Sequence, residues 1–237
     1  MRRLFVALLA LLCSTVAPGA EPATTYVLQP DRVWTGDGAS HADWVVVVRG
    51  GKIAAVGDAR SITLPTDAKR IALPGATLVP GLIDLHSHVL LHAYNERSWN
   101  DQVITEPVPY RTILAVNHAR DTLQAGWTTL RDLGTEGADY ADVAIKRAID
   151  EGRIPGPHLF VATRAIVASS SYGPAPRGYR PDLDLPQGAQ EISGVDEAVR
   201  ATREQANRGA DWIKVYADYR VGPDGSTQPT LTPEELK

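Results

Sequence analysis

His86 and His88 stand one residue apart at the end of the run Leu78-Val-Pro-Gly-Leu-Ile-Asp-Leu-His-Ser-His-Val89. Side chains two apart on an extended chain point to one face, so both imidazoles can aim at one point. Two neutral imidazoles on one rigid edge make half of a site for Zn²⁺ or another divalent ion. Lys214 is a further candidate, in Asp211-Trp-Ile-Lys-Val-Tyr216. An amine desolvated among such residues is easier to deprotonate, and a neutral amine can add CO₂ to become a carbamate. That anion has two oxygens and can bridge two metals. The plain alternative is a lysine that reaches solvent or pairs with Asp211 or Asp218.

Other polar residues near these motifs have weaker claims. Asp84 shares the histidines' face and could orient one of them. Arg131 and Asp132 are expected to pair with each other. His41, His92, His118 and His158 are read as belonging to the N-terminal β unit, a loop, a helix and a strand start respectively. Ser169–Pro176 is a candidate pocket loop, and Tyr216, Tyr219 and Arg220 are candidate substrate contacts.

These residues need elements to hold them. Leu78–Leu85 lacks apolar–polar alternation, which predicts a strand buried on both faces of a parallel sheet. A helix is expected over Thr112–Gln124 ahead of a strand at Trp127–Arg131, and another over Tyr140–Asp150 ahead of His158–Ala162. A third, Val195–Asn207, opens with a capping box at Ser193 and leads to the strand Asp211–Tyr216. Helix, glycine, strand, repeated after a first buried strand, describes βα units with four visible strands. Residues 21–75 read instead as a small β segment, with a hairpin turning at Gly50-Gly51. Thr232-Pro-Glu-Glu235 reads as a helix start two residues before the sequence stops at Lys237, which suggests a truncated chain.

The 237 residues are 43% hydrophobic and carry a net charge of −4, ordinary globular composition with no electrostatic footprint for nucleic acid. Met1-Arg-Arg, the apolar Leu4–Leu12 and the small residues Ala17, Gly19 and Ala20 read as a signal peptide over residues 1–20. The apolar stretch is too short to span a membrane. The single cysteine, Cys13, falls inside it. A periplasmic or secreted protein without disulfides is therefore expected.

Three pieces in order, Leu78–His88, Ala125-Gly-Trp-Thr-Thr-Leu-Arg-Asp-Leu-Gly134 and Gly209–Tyr216, resemble the metal-dependent amidohydrolases. The imidazolonepropionase-like and Xaa-Pro-dipeptidase-like branch is the nearest in pattern. The resemblance implies an α/β fold: the first four strands of a (β/α)₈ TIM barrel over residues 76–237, preceded by a β-sandwich segment. It implies two divalent ions, Zn²⁺ foremost with Mn²⁺, Co²⁺ or Fe²⁺ as alternatives. His86 and His88 would be ligands and Lys214 the carboxylated bridge. A metal-bridging hydroxide would then cleave an amide, cyclic amide or dipeptide, and a homo-oligomer is possible. The family's further ligands follow its fifth and sixth strands, and its catalytic aspartate follows the eighth. They have no counterpart up to Lys237, so a non-catalytic metal-binding module and an unstable gene fragment stay open as alternatives.

Overall fold

The computed structural model describes residues 24–220 and 224–237. The expected signal segment and Cys13 lie outside the described residues. The chain divides into two compact units, one ending at Pro80 and one running from Gly81 to Lys237.

The first unit is one five-stranded sheet. It comprises β1 (Thr25–Trp34), β2 (Ser40–Ala42), β3 (Trp44–Arg49), β4 (Lys52–Asp58) and β5 (Lys69–Leu78). β1 is long enough to serve two partners along one edge. Its first half pairs antiparallel with β3 and its second half with β2, while β5 runs parallel along the other edge. The β3–β4 hairpin turns at Gly50-Gly51, both at positive φ (57° and 75°), where a side chain would be strained. Val27, Val45 and Val47 form its buried centre.

The second unit holds β6 (Leu82–Ser87), α1 (Trp99–Thr105), α2 (Val108–Gln124), β7 (Trp127–Asp132), α3 (Ala141–Asp150) and β8 (His158–Val161). Then follow β9 (Ile166–Ala168), β10 (Gln190–Ile192), α4 (Val195–Arg208), β11 (Asp218–Arg220) and β12 (Thr227–Pro229). β6, β7 and β8 form a parallel sheet in that order, as successive βα units should. Leu130, Leu159 and Val161 of the sheet pack with Ala115 and Ala119 of α2 and Ile145 of α3 to make the core. Among the described residues no helix is long and apolar enough to cross a membrane.

Several expectations need correction. α2 starts at Val108, a turn before Thr112, because Pro109 sits in the first turn where its missing N–H leaves no bond unmade. Ser193 does not cap α4. Gly194 is the N-cap, and the Ser193 hydroxyl is engaged by that of Ser169 at 2.6 Å. β6 is an edge strand, with Leu82, Ile83 and Leu85 43%, 58% and 59% exposed, so it is not buried on both faces. Asp211–Tyr216 is extended without being a strand. It makes a single parallel bridge, Ile166 to Val215, with Ile166 N–H donating to Lys214 O and Tyr216 N–H to Ile166 O. The reason lies at its start, where the Asp211 and Trp212 amides both donate to the Val161 carbonyl and no ladder can form. The Thr232–Glu235 box does form: Thr232 N–H donates to the Glu235 carboxylate and Glu235 N–H to Thr232 Oγ1.

Candidate functional site

The site is assembled at the C-terminal ends of the parallel strands. His86 is the penultimate residue of β6, and His88 follows the strand. Their rings lie 5.3 Å apart, centroid to centroid. The Asp84 carboxylate accepts the His86 backbone N–H at 2.9 Å, so it shapes the strand end rather than the imidazole. Nδ1 of His88 lies 2.9 Å from Gly134 O, a bond that requires the proton on Nδ1 and leaves Nε2 free as a donor to a metal. Partial burial, then the Lys214 charge and that of His88, push the His86 pKa down and favour the neutral ring that a metal needs.

Lys214 comes from the segment bridged to β9. Its Nζ sits 4.8 Å from the centroid of the Tyr216 ring. Desolvation is the main cause that lowers its pKa, with the Glu136 charge acting against it and Arg131 adding to it. Asp211, one of the two alternative ion-pair partners, is occupied: Lys146 Nζ reaches both its oxygens at 2.6–2.7 Å, and Val161 N–H donates to one of them. Arg131 and Asp132 do not pair, because neighbouring strand residues face opposite ways. Arg131 donates to Leu85 O and stacks over Trp212, whereas Asp132 is fully buried and accepts from the Val89 and Gly134 amides.

One residue that the sequence analysis passed over sits at the centre of this arrangement. Glu136, 2% exposed, accepts from Trp99 Nε1 at 2.9 Å and Tyr172 OH at 2.8 Å, and faces Tyr216 OH at 3.4 Å and His88 Nδ1 at 3.9 Å. Its backbone carbonyl and that of Thr135 are held by Arg111, which is also buried. The signal that could have found it is weak: a glutamate two residues beyond Gly134 in a loop. Tyr172 and Tyr216 stack at 4.8 Å, and Tyr219 meets Tyr172 edge-on. The side chain of Arg220 lies outside what is described. Ser170, Tyr172, Pro174, Leu185 and Glu191 line a shallow pocket at the expected loop.

The donor set suits half of a divalent-metal site: two imidazoles, one of them in a fixed tautomer, and a desolvated amine. Among the described residues no group of three or more histidine, cysteine, aspartate or glutamate side chains converges to complete it. Residues 77–237 match the sequence model of the amidohydrolase family, well over half of the chain. The chain belongs to the amidohydrolase family. Among amidohydrolases of known activity, it is 31% identical over 178 residues to ochratoxinase of Aspergillus niger, covering 68% of this chain and 35% of that protein. Among solved structures it resembles a prolidase crystallised with N-methylphosphonate-L-proline. That match has 29% identity and a TM-score of 0.69 over 90% of this chain and 51% of that one. A Xaa-Pro dipeptidase shares the fold at a TM-score of 0.73 with 24% identity, again over 90% of this chain and 52% of the other. The chain thus spans about half the length of these solved amidohydrolases and about a third of ochratoxinase.

Three of the four other histidines are engaged elsewhere, and His158 opens β8. His92 lies between Glu96 and Glu106 at 3.2 Å from each, the His118 ring binds Val89 O, and His41 stacks on Trp44. Beneath the site, burial pushes the Asp142 carboxyl up to about 6, against hydrogen bonds from the Thr163 and Val143 amides. Burial and the Asp142 charge raise Asp132 well above the carboxylate range. A raised carboxyl holds a proton that the unfolded chain has released, so this stabilisation is full below about pH 4 and is lost as pH rises towards 6. Wild type is therefore expected to lose up to about 3 kcal/mol more than Asp142→Asn between pH 4 and 7. Urea unfolding at the two pH values measures it; parallel losses in the two proteins would mean that Asp142 titrates normally.

Proposed function

We propose that this chain carries one half of the active site of a metal-dependent hydrolase that cleaves C–N bonds in dipeptides or other small amides. The observation that carries the reading is the pair His86 and His88, ring centroids 5.3 Å apart at the end of β6, with Lys214 near enough for its charge to act on His86, in a chain of this family. Bound there, divalent ions (zinc by preference for histidine and carbamate donors) would lower the pKa of water and polarise a carbonyl. His86 and His88 would hold the more buried ion, and Lys214, carboxylated, would bridge to the second. The His88–Gly134 hydrogen bond places the proton on Nδ1, so Nε2 would be free to hold that ion. We read β6, β7, β8 and the Asp211–Tyr216 segment as the opening strands of a (β/α)₈ barrel, whose functional groups gather at this end of the strands. The five-stranded sheet would contribute to the accompanying sandwich. Residues 1–20 support secretion or residence in the periplasm.

The test is hydrolysis of a panel of Xaa-Pro dipeptides and N-acyl amino acids by the zinc-loaded protein, before and after chelation. Turnover that is lost on chelation and restored by Zn²⁺ supports the reading. The rival reading is a metal-binding module without catalysis. Zinc binding with no turnover of any substrate would select that rival.

A further inference from the structure

Glu136 is held with unusual insistence. Its φ of +50° is left-handed, a conformation that costs a bulky residue about 1 kcal/mol or more, yet Arg111 fixes the carbonyls on both sides of it. The result aims the carboxylate inward. Trp99 from α1, Tyr172 from the loop after β9 and Tyr216 from the bridged segment surround it, all of them neutral donors. The guanidinium of Arg111 contacts the backbone of Glu136, and among the described residues no lysine or arginine makes an ion pair with the carboxylate itself. An amide of the same shape could occupy this place, and a buried carboxylate costs more to desolvate than an amide does. A compensating positive charge is therefore called for, and the groups on the open side are His88, 3.9 Å away, and Lys214, which feels the Glu136 charge.

We propose that Glu136 is a positioning residue of the metal site. Its charge strengthens the hold of His86 and His88 on a cation. The inference rests on the reading of His86 and His88 as ligands. It differs from that reading in assigning part of the metal affinity to a residue that makes no bond to the metal. Partners behind a ligating histidine commonly account for about ten- to a hundredfold in affinity.

The experiment is a zinc titration of the full protein in competition with a chromogenic chelator, using wild type, Glu136→Gln and His88→Ala, with thermal melts alongside. Glu136→Gln is expected to melt near wild type and to bind Zn²⁺ at least about tenfold more weakly, with His88→Ala weaker still. Wild-type affinity in Glu136→Gln alongside weak binding in His88→Ala overturns this proposal and spares the ligand reading. Wild-type affinity in both removes the ligand reading, and this proposal with it. Should Glu136→Gln not fold, the double variant Tyr172→Phe/Tyr216→Phe decides. It keeps the carboxylate and removes two of its hydrogen bonds, so zinc affinity is expected to hold. A tenfold loss there would assign the effect to the aromatic packing and overturn the role of the charge.

Discussion

On the proposed reading, Lys214→Ala is expected to reduce metal-dependent turnover by about a thousandfold or more. Nζ stacks on Tyr216 and is partly desolvated, and Asp211, one of its two candidate ion-pair partners, belongs to Lys146 and to the Val161 amide. The lowered pKa raises the fraction of neutral amine, whose nitrogen can attack CO₂ and release one proton to solvent, leaving a carbamate. On the proposed reading that carbamate would add an anion with two oxygens to the donors His86 and His88. A variant without it would hold divalent ions through the histidines alone and lose several kcal/mol of transition-state stabilisation, at about 1.4 kcal/mol per factor of ten. Two measurements separate this role from ordinary packing. Zinc content should fall with activity, and added short-chain carboxylates should restore part of the rate by occupying the space of the missing carbamate. Full activity of Lys214→Ala without such additives would end the bridging role.

The parts legible in the sequence are those governed by local rules. The glycines past α2, α3 and α4, the diglycine turn of the first sheet and the His-x-His spacing each act through a few neighbouring residues. Gly209 shows why: at φ +105° just past α4, it terminates the helix by a conformation open to few other residues. What was not legible depends on partners distant in the chain. Ser193 reads as a cap until Ser169, 24 residues away, takes its hydroxyl. Asp211–Tyr216 has strand composition, but a strand needs a ladder, and its first amides go to the end of β8. The β6 run is apolar enough for burial on both faces, whereas the sheet order makes it an edge. Glu136 escaped for the same kind of reason. Its donors lie 36 to 80 residues away, and its orientation comes from a left-handed backbone that no residue type announces.

Arg111 was equally invisible, because it lies just before the helix expected from Thr112 and an arginine ordinarily faces water, and its removal is expected to have the largest effect on stability. Its side chain is 1% exposed and spans three carbonyl oxygens: Nε donates to Leu90 O at 3.1 Å, and the terminal nitrogens donate to Glu136 O at 2.7 Å and Thr135 O at 2.9 Å. Leu90 follows β6, and Thr135 and Glu136 follow β7, so one planar group sets the spacing of the two loops that carry His88 and its supports. Burial lowers the guanidinium pKa while the Glu106 and Glu136 charges oppose that, in keeping with a charge retained inside the fold. Arg111→Ala would leave three buried acceptors without a donor and open a cavity, a loss of about 3 kcal/mol or more. Arg111→Lys keeps the charge but cannot reach three acceptors from one nitrogen in the same plane, and should lose about half as much. Urea unfolding gives both numbers, and an alanine variant within about 0.5 kcal/mol of wild type would mean that water replaces the guanidinium at these carbonyls. In the lysine variant, which should stay folded, the Thr135–Glu136 backbone is freed to leave its left-handed turn. Zinc affinity should then weaken with it, since Glu136 can no longer be held behind His88.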